Sequence, residues 1–301
     1  MAGINGVICI DKPQGFTSFD VIAKLRGMLK MRRLGHSGTL DPMATGVLPV
    51  FAGTAAKAAD MIPDHDKEYR AGFCFGYTSD TLDSTGKVVP TGRSMPGEEA
   101  VRAAALALTG EIDQIPPMYS AVSVNGKRLY ELARRGIEIE REPRRVTVYR
   151  LDVLRYDEAS GEGELLIACS KGTYIRSIID DMGRALGCGG IMTSLIRTKA
   201  CSFTLDDCYT LEQVQAACDS GDVPSLFRSV SDVFDHPCIR LDERLTRLFR
   251  NGVKMTVGQS GMKTEDVMSE HVRVFGFDGE FLAIARIEDD LLVSEKNFYT
   301  N

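Results

Sequence analysis

The sequence GHSGTLDPMATG, residues 35–46, sets the strongest constraint on how this chain folds. Its three glycines allow sharp turns of the backbone, and Pro42 stiffens the position that follows Asp41. The segment therefore predicts a shaped loop that holds one carboxylate in place, although an aspartate in such a loop can also serve only to form the turn. Loops of this composition between packed elements often carry function.

The segments on either side of this loop predict packed secondary structure. Before it, GVICID (residues 6–11) predicts a short strand, and Thr17 or Ser18 is placed to cap a helix. The apolar residues that follow have helical spacing, and they are Val21, Ile22, Leu25, Met28 and Leu29. After the loop comes the apolar run VLPVFAG (47–53). The loop is thus expected to join two packed elements.

The rest of the chain alternates strand and helix signals without a regular βαβ repeat. Residues 146–156 and 163–170 read as paired strands, and Thr173 is expected to cap a helix that ends at Gly187. After about Asn251 the signals are short strands only. We therefore predict an α+β fold with a mixed or antiparallel sheet and a small β-rich region at the C-terminal end.

Composition limits the class of protein. The chain has 301 residues, 44% hydrophobic and 26% charged, which is typical of a soluble protein with one large domain and a small one. It has no apolar run long enough for a membrane helix, and its first residues lack the pattern of a secretory signal. We expect a cytoplasmic protein. The eight cysteines include no CxxC pair and the four histidines lie far apart, so buried thiols and no metal are expected.

Charge is distributed unevenly along the chain. The net charge of −6 argues against nucleic-acid binding, but residues 21–40 hold five basic side chains and no acidic one. Residues 127–150 hold eight basic and four acidic side chains. The two segments could form a track for a phosphate backbone or could simply be solvated faces. The candidates for backbone contacts are Lys24, Lys30, Arg32, Arg33, Lys127, Arg128, Arg134 and Arg135.

The segment 35–46 closely resembles the motif of the TruB family of pseudouridine synthases, in which the nucleophilic aspartate falls at Asp41. Four further blocks resemble that family in the same order, and together the matches run from residue 8 to about residue 198. The chain departs from the family at Ser79, where threonine is usual, and at residues 198–203, where many members have a turn containing glycine. The four blocks are IDKPQGFTSFDV, KEYRAGFCFGYTSDTLDSTG, IPPMYSAVSVNGKRLYELARRG and KGTYIRSIIDDMGRALGCGG.

The resemblance implies a domain division and a set of site residues. It implies a pseudouridine synthase catalytic domain over residues 1–238, with a basic RNA-gripping insertion at 127–150, and a PUA-like β-rich domain over 239–301. It also implies that Arg176 pairs with Asp41. The remaining implied residues are Tyr69 against the target base, Tyr174 and Leu195 in the base pocket, and His36 on the RNA. Outside the family, each of these four would pass for an ordinary structural residue.

The activity implied by the resemblance is the isomerisation of uridine-55 in the TΨC arm of tRNA. The target base would be flipped out of the RNA, and Asp41 would attack either C1′ or C6. The rearrangement involves no net redox change or hydrolysis, so we expect no cofactor. The resemblance to the bacterial form of the family implies no guide RNA, and we expect a monomer. Two other functions are alternatives. A non-catalytic RNA-binding module would explain the basic segments, and a small-molecule nucleotide enzyme is disfavoured because the sequence has no GxxxxGK[ST] phosphate loop.

Overall fold

A computed structural model describes residues 4–62, 65–124, 126–262 and 269–299. Within these ranges the α-helices are α1 Ser18–Leu29, α2 Glu98–Ala107, α3 Leu129–Ala133, α4 Ile175–Ala185, α5 Leu211–Ser220 and α6 Glu243–Arg250. The strands are β1 Gly6–Lys12, β2 Leu34–His36, β3 Thr45–Ala52, β4 Lys67–Phe75, β5 Tyr77–Ser79, β6 Val88–Pro90, β7 Gly110–Gln114, β8 Ser123–Val124, β9 Lys127–Arg128, β10 Arg144–Asp157, β11 Glu162–Cys169, β12 Gly190–Ala200, β13 Phe203–Thr204, β14 Cys208–Tyr209, β15 Cys238–Arg240, β16 Met255–Thr256, β17 His271–Phe275, β18 Phe281–Glu288 and β19 Leu291–Asn297.

One large sheet contains most strands from β1 to β14, and its strand order is β14-β1-β3-β12-β4-β11-β10-β7. The pairs β1–β14 and β3–β12 are parallel, whereas the other neighbours along this path are antiparallel. The predicted mixed sheet of an α+β fold is thereby confirmed. The loop 37–44 enters this sheet at β3, beside the point where β3 and β12 run parallel.

The helix predicted before the loop is confirmed as α1. Thr17 accepts a hydrogen bond from the Asp20 backbone, and the Asp20 carboxylate accepts one from the Thr17 backbone in return, which forms a capping box. The apolar face of the helix packs on β1 and β3 through Val21, Ile22 and Leu25. Because the helix is capped and buried in this way, its first turn is held firmly against the sheet.

The second helix at the site, α4, begins differently from the sequence prediction. Its apolar residues Ile175, Ile178, Ile179 and Met182 follow helical spacing and are buried against the sheet. The capping residue is Tyr174 rather than Thr173, whose hydroxyl instead donates to the Ser170 carbonyl at 2.9 Å. The prediction of a Thr173 cap was therefore wrong, since that side chain bonds backward into the preceding turn.

The C-terminal part forms a second sheet of five strands, in the order β15-β17-β18-β19-β16, which confirms the β-rich region. It has a core of its own, centred on Ile239, Val272 and Leu282. Phe281 and Phe298 also pack against Phe234 in the core shared with the large sheet, so the two sheets make apolar contact. Among the described residues no helix combines the length and the apolar character needed to cross a membrane.

Candidate functional site

Backbone hydrogen bonds fix the loop that carries Asp41. The Ala44 amide donates to the Asp41 carbonyl at 3.0 Å, and the Leu40 amide donates to the Ser18 hydroxyl at the start of α1 at 2.9 Å. Gly46 has φ of 98°, and a Cβ at this position would lie 2.3 Å from the Arg197 carbonyl. Only glycine fits here, because both the backbone angle and the close approach to β12 exclude a side chain.

Arg176 lies directly beneath the Asp41 carboxylate. Its Nη2 is 3.0 Å from Oδ2 of Asp41, and its side chain is only 6% exposed. The same guanidinium donates to the Thr81 carbonyl at 3.0 Å and to the Tyr119 carbonyl at 2.9 Å. Because three different segments hold this planar group, its direction is set before any ligand binds, and so is that of the carboxylate.

A second carboxylate, Asp83, contacts Arg176 from the other side. Its Oδ2 lies 3.7 Å from Nη1 of Arg176, and its side chain is 5% exposed. Its Oδ1 accepts from the Thr81 hydroxyl at 2.7 Å and from the Thr85 amide at 2.9 Å. The buried guanidinium is thus balanced by two carboxylates, of which only Asp41 reaches solvent, at 38% side-chain exposure.

Lys12 adds a second cation behind the loop. Its side chain is fully buried, and Nζ donates to the carbonyls of Pro13, Phe16 and Pro42, the last at 3.4 Å. Burial lowers the pKa of Lys12 to about 8, while the nearby Asp41 acts to raise it. Lys12 therefore ties the turn before α1 to the residue that follows Asp41.

The pKa of Asp41 reflects the competition between burial and these charges. Burial has the largest effect and raises the pKa above its ordinary value, and the charge of Asp83 adds to that rise. Arg176 and Lys12 act in the opposite direction. A carboxylate that is partly withdrawn from water and directed by a fixed cation is well suited to act as a nucleophile.

A cleft with a volume of about 430 Å³ opens above Asp41. This is within the usual size range of small-molecule sites. All six residues proposed for the site from the sequence line it, at positions that come from β2, β4, β12, the loop and the start of α4. They are His36, Asp41, Tyr69, Tyr174, Arg176 and Leu195.

Burial shifts the pKa values of two cleft residues, Tyr69 and His36, toward their uncharged forms. Burial raises the pKa of Tyr69, and the Arg197 guanidinium across the β4–β12 pair only partly counters this. Burial, assisted by Arg197, lowers the pKa of His36 below 6.5. Tyr69 and His36 therefore present uncharged rings to the cleft, which suits contact with a flat uncharged base, while Asp60, Lys67 and Lys171 add charge elsewhere in its lining.

Several residues that shape the site were missed from the sequence: Lys12, Asp83, Gln114 and Arg197. Gln114, at the end of β7, accepts from the Tyr174 amide at 2.7 Å and donates to the Tyr174 carbonyl at 3.1 Å. Arg197 is fully buried and donates to the carbonyls of Val47 and Gly38 at 2.7 and 3.0 Å. Lys12 and Arg197 were marked only as charged residues in or at the end of strands with apolar runs, and Asp83 as part of a motif turn, whereas Gln114 in the polar strand GEIDQ had no sequence signal.

The proposed RNA-backbone residues lie outside the cleft. All eight are exposed. Lys24 and Lys30 face a separate shallow groove between α1 and α5, while Lys127 and Arg128 form β9 of a short hairpin ahead of α3. Arg134 stacks over the Tyr130 ring at 5.5 Å. None of these eight side chains lines the cleft.

Comparison with known proteins finds relatives that match nearly the whole chain. Residues 26–175 match the family described as "TruB family pseudouridylate synthase (N terminal domain)", and residues 176–232 match "tRNA pseudouridylate synthase B C-terminal domain". A relative from Saccharophagus degradans named tRNA pseudouridine synthase B is 40% identical over 97% of this chain and 95% of its own.

Two further matches agree with these. A protein of the same name from Clostridium kluyveri is 37% identical over 95% of this chain and 96% of its own. The fold is shared with a chain in a crystal structure of a Cbf5-Nop10-Gar1 complex, with a TM-score of 0.73, 24% identity, and coverage of 98% of this chain and 85% of that one.

Proposed function

This chain belongs to the TruB family of pseudouridylate synthases, and from that membership we propose that it converts uridine-55 in the TΨC arm of tRNA to pseudouridine, with Asp41 as the nucleophile. The chain is an isomerase that forms pseudouridine in tRNA. The observation that supports Asp41 as the nucleophile is the position of its carboxylate, which is held 3.0 Å from Arg176 at the floor of the cleft.

The reaction breaks the N1–C1′ bond of uridine and forms a C5–C1′ bond to the same base. C5 loses a proton and N1 gains one, so the change involves no net redox step and no hydrolysis. The chemistry therefore calls for no cofactor. Asp41 attacks either C1′ of the ribose or C6 of the ring, and Arg176 keeps the carboxylate pointed into the cleft in both cases.

The target base must leave the RNA stack to reach Asp41. Extrusion costs a few kcal/mol, and stacking on an aromatic ring returns roughly 1 to 3 kcal/mol per base. We assign the base contacts to Tyr69, Tyr174 and Leu195, and to His36 the role of holding the RNA with its base extruded, because all four line the cleft. As an uncharged phenol, Tyr69 is also able to give and take a proton near the ring.

The rest of the molecule fits a stand-alone enzyme with two domains. We propose residues 1–238 as the catalytic domain and 239–301 as a PUA-like domain, since the five-stranded sheet has its own core. The exposed basic residues of 21–40 and 127–150 then contact the phosphates of the tRNA. We further propose that the chain acts as a monomer, in the cytoplasm and without a guide RNA.

The nucleophile is tested with Asp41→Asn. Purified protein is incubated with a tRNA transcript labelled with tritium at C5 of uridine, and the tritium released is counted. We expect the variant to lose at least about a thousandfold in rate, because the amide is a far weaker nucleophile. The matched control is Asp113→Asn, which removes an aspartate paired with Arg145 at 2.7 Å on the surface, and should react as the parent does.

The position of the target is tested with a second transcript. Replacing uridine-55 by cytidine should abolish tritium release from a tRNA that is otherwise labelled throughout, with no guide RNA and no cofactor added. Release that persists would place the target elsewhere. A parent protein that binds tRNA but releases no tritium from any transcript would favour the non-catalytic RNA-binding module, and an unimpaired Asp41→Asn variant would reject Asp41 as the nucleophile.

A further inference from the structure

An exposed aromatic side chain, Phe19, lies at the rim of the cleft. It is the second residue of α1 and is 70% exposed. Its ring meets that of His36 edge to face, with 6.5 Å between centroids and an interplanar angle of 88°. His36 lines the cleft, so the phenyl ring continues the line of the His36 side chain outward from the cleft.

The fold does not explain why this position carries a phenylalanine. The neighbouring residues perform the structural tasks: Thr17 and Asp20 form the capping box, and Val21 and Ile22 fill the core. A polar side chain at position 19 would avoid exposing apolar surface to water. The ring is therefore available for a ligand.

The position of Phe19 relative to Asp41 is fixed. Ser18, which precedes it, accepts a hydrogen bond from the Leu40 amide at 2.9 Å, and Leu40 precedes Asp41. Lys12 reinforces the link by donating to the carbonyls of both Phe16 and Pro42. The start of α1 and the nucleophile loop thus form one rigid unit, with the exposed ring at its outer edge.

Positive charge continues along the helix from this ring. Arg26 is exposed two helical turns further on, roughly 10 Å along the axis, and its Nη2 donates to the Leu34 carbonyl of β2 at 3.4 Å. Arg32 and Arg33 follow, also exposed. An aromatic ring beside a row of cations is the arrangement by which proteins bind unpaired nucleotides, through stacking and phosphate contacts.

We propose that Phe19, supported by His36, is a stacking site for the nucleobase next to the flipped uridine. Removing one base from the stack leaves its neighbour with a bare face, and Phe19 lies where that face can be covered. The inference rests on the proposed function, because it needs an RNA strand that enters this cleft. The site should accept any base, since every base has a π-face and no hydrogen-bond donor or acceptor on Phe19 selects among them.

Fluorescence gives a direct test, because the chain contains no tryptophan. Phe19→Trp places a single indole at the rim, and it is titrated with a transcript of the TΨC stem-loop. We expect saturable quenching with the midpoint of the independently measured Kd. The matched control is Leu106→Trp, also on a helix and 73% exposed, which should not be quenched. Quenching at both positions, or at neither, would overturn the proposal.

Affinity and turnover give a second test. Phe19→Ala should weaken stem-loop binding and raise KM about tenfold, with kcat changed much less, whereas Phe19→Tyr should behave as the parent. The loss should vanish when the RNA carries an abasic nucleotide beside the target, because no base is then present to stack. A Phe19→Ala variant with the parent's Kd and KM, or a loss that persists with the abasic RNA, would reject the stacking role.

The two proposals fail in different ways. If the parent protein releases no tritium from tRNA, the proposed function is wrong whatever Phe19 does. If the parent is active but Phe19→Ala binds and reacts unchanged, only the stacking site is wrong. Thermal unfolding of each variant identifies a loss caused by misfolding, and Phe19→Tyr, which keeps the ring, then separates the role of the ring from that of the fold.

Discussion

The floor of the cleft and the segment 127–150 both present guanidinium groups, but in opposite environments. Arg176 is 6% exposed and bonded to two carboxylates and two backbone carbonyls. Arg134 and Arg135 are exposed, and the Arg134 guanidinium lies over the ring of Tyr130, 5.5 Å from its centroid. A buried charge with several partners can hold one geometry, whereas an exposed charge can follow a flexible phosphate backbone. The two regions should therefore respond differently to substitution.

Among substitutions of these arginines, Arg176→Lys should have the largest effect, because it keeps the positive charge but cannot reproduce the geometry of the guanidinium contacts. A lysine cannot contact Asp41, Thr81 and Tyr119 together, so the carboxylate loses its fixed direction. We expect kcat to fall by about a hundredfold or more, with KM changed less than about threefold. Single-turnover tritium release measures the first and tRNA binding the second. A loss confined to KM would mean that Arg176 binds RNA and does not direct the nucleophile.

The parts of the cleft floor that depend on local sequence could be predicted, whereas the parts that depend on contacts between distant residues could not. The loop and α1 were predictable because their signals are local: glycines, Pro42, a cap and helical spacing. Asp83 and Arg176 meet across 93 positions of sequence, and their contact depends on how β4, β12 and α4 pack. The Asp41–Arg176 pair was expected only through the family resemblance, since no spacing rule connects residues so far apart.

The start of α4 illustrates the same limit. Thr173 has the side chain of a capping residue, yet the helix begins one residue later because Gln114 bonds both backbone groups of Tyr174. That contact joins residues 60 positions apart, on β7 and at the helix start. The capping rule for Thr173 predicted the helix correctly but placed its start one residue too early, because the Gln114 side-chain amide binds the backbone of Tyr174 in place of a capping side chain.

Lys12→Met should alter the pH dependence of stability. The folded protein loses the Lys12 proton near pH 8, whereas the unfolded chain holds it up to about pH 10.4. Between these values the unfolded state binds more protons, so Lys12 makes stability rise with pH. We expect the parent to gain free energy of unfolding relative to Lys12→Met from pH 8 to 10, measured by urea denaturation. Lys24→Met, on the exposed face of α1, should track the parent, and a Lys12→Met curve parallel to the parent's would contradict the shifted pKa.

Asp83→Asn should have a smaller effect on the floor, visible mainly in pH dependence. Asp83 helps raise the pKa of Asp41, so neutralising it should lower that pKa. Arg176 stays in place, since it still donates to two backbone carbonyls. Because Asp41 must be ionised to react, kcat falls as the pH drops through its pKa, and the acid limb of the profile should move to lower pH. An acid limb that moves to higher pH would show that Asp83 acts chiefly by positioning Arg176.

Single substitutions in the exposed segment should have the smallest effects and should respond to salt. We expect Arg134→Ala or Arg135→Ala to raise KM about two- to threefold at low salt, with kcat unchanged, because each side chain supplies one phosphate contact among several. The slope of log Kd against log salt should fall by about one per residue removed, and the losses should add. Arg176→Lys should leave that slope unchanged, because its charge is taken up by Asp41 and Asp83 and not by RNA. If Arg134→Ala lowered kcat or left the salt slope as it was, the distinction would not hold between Arg176, which fixes the geometry of Asp41, and the exposed arginines, which attract phosphates.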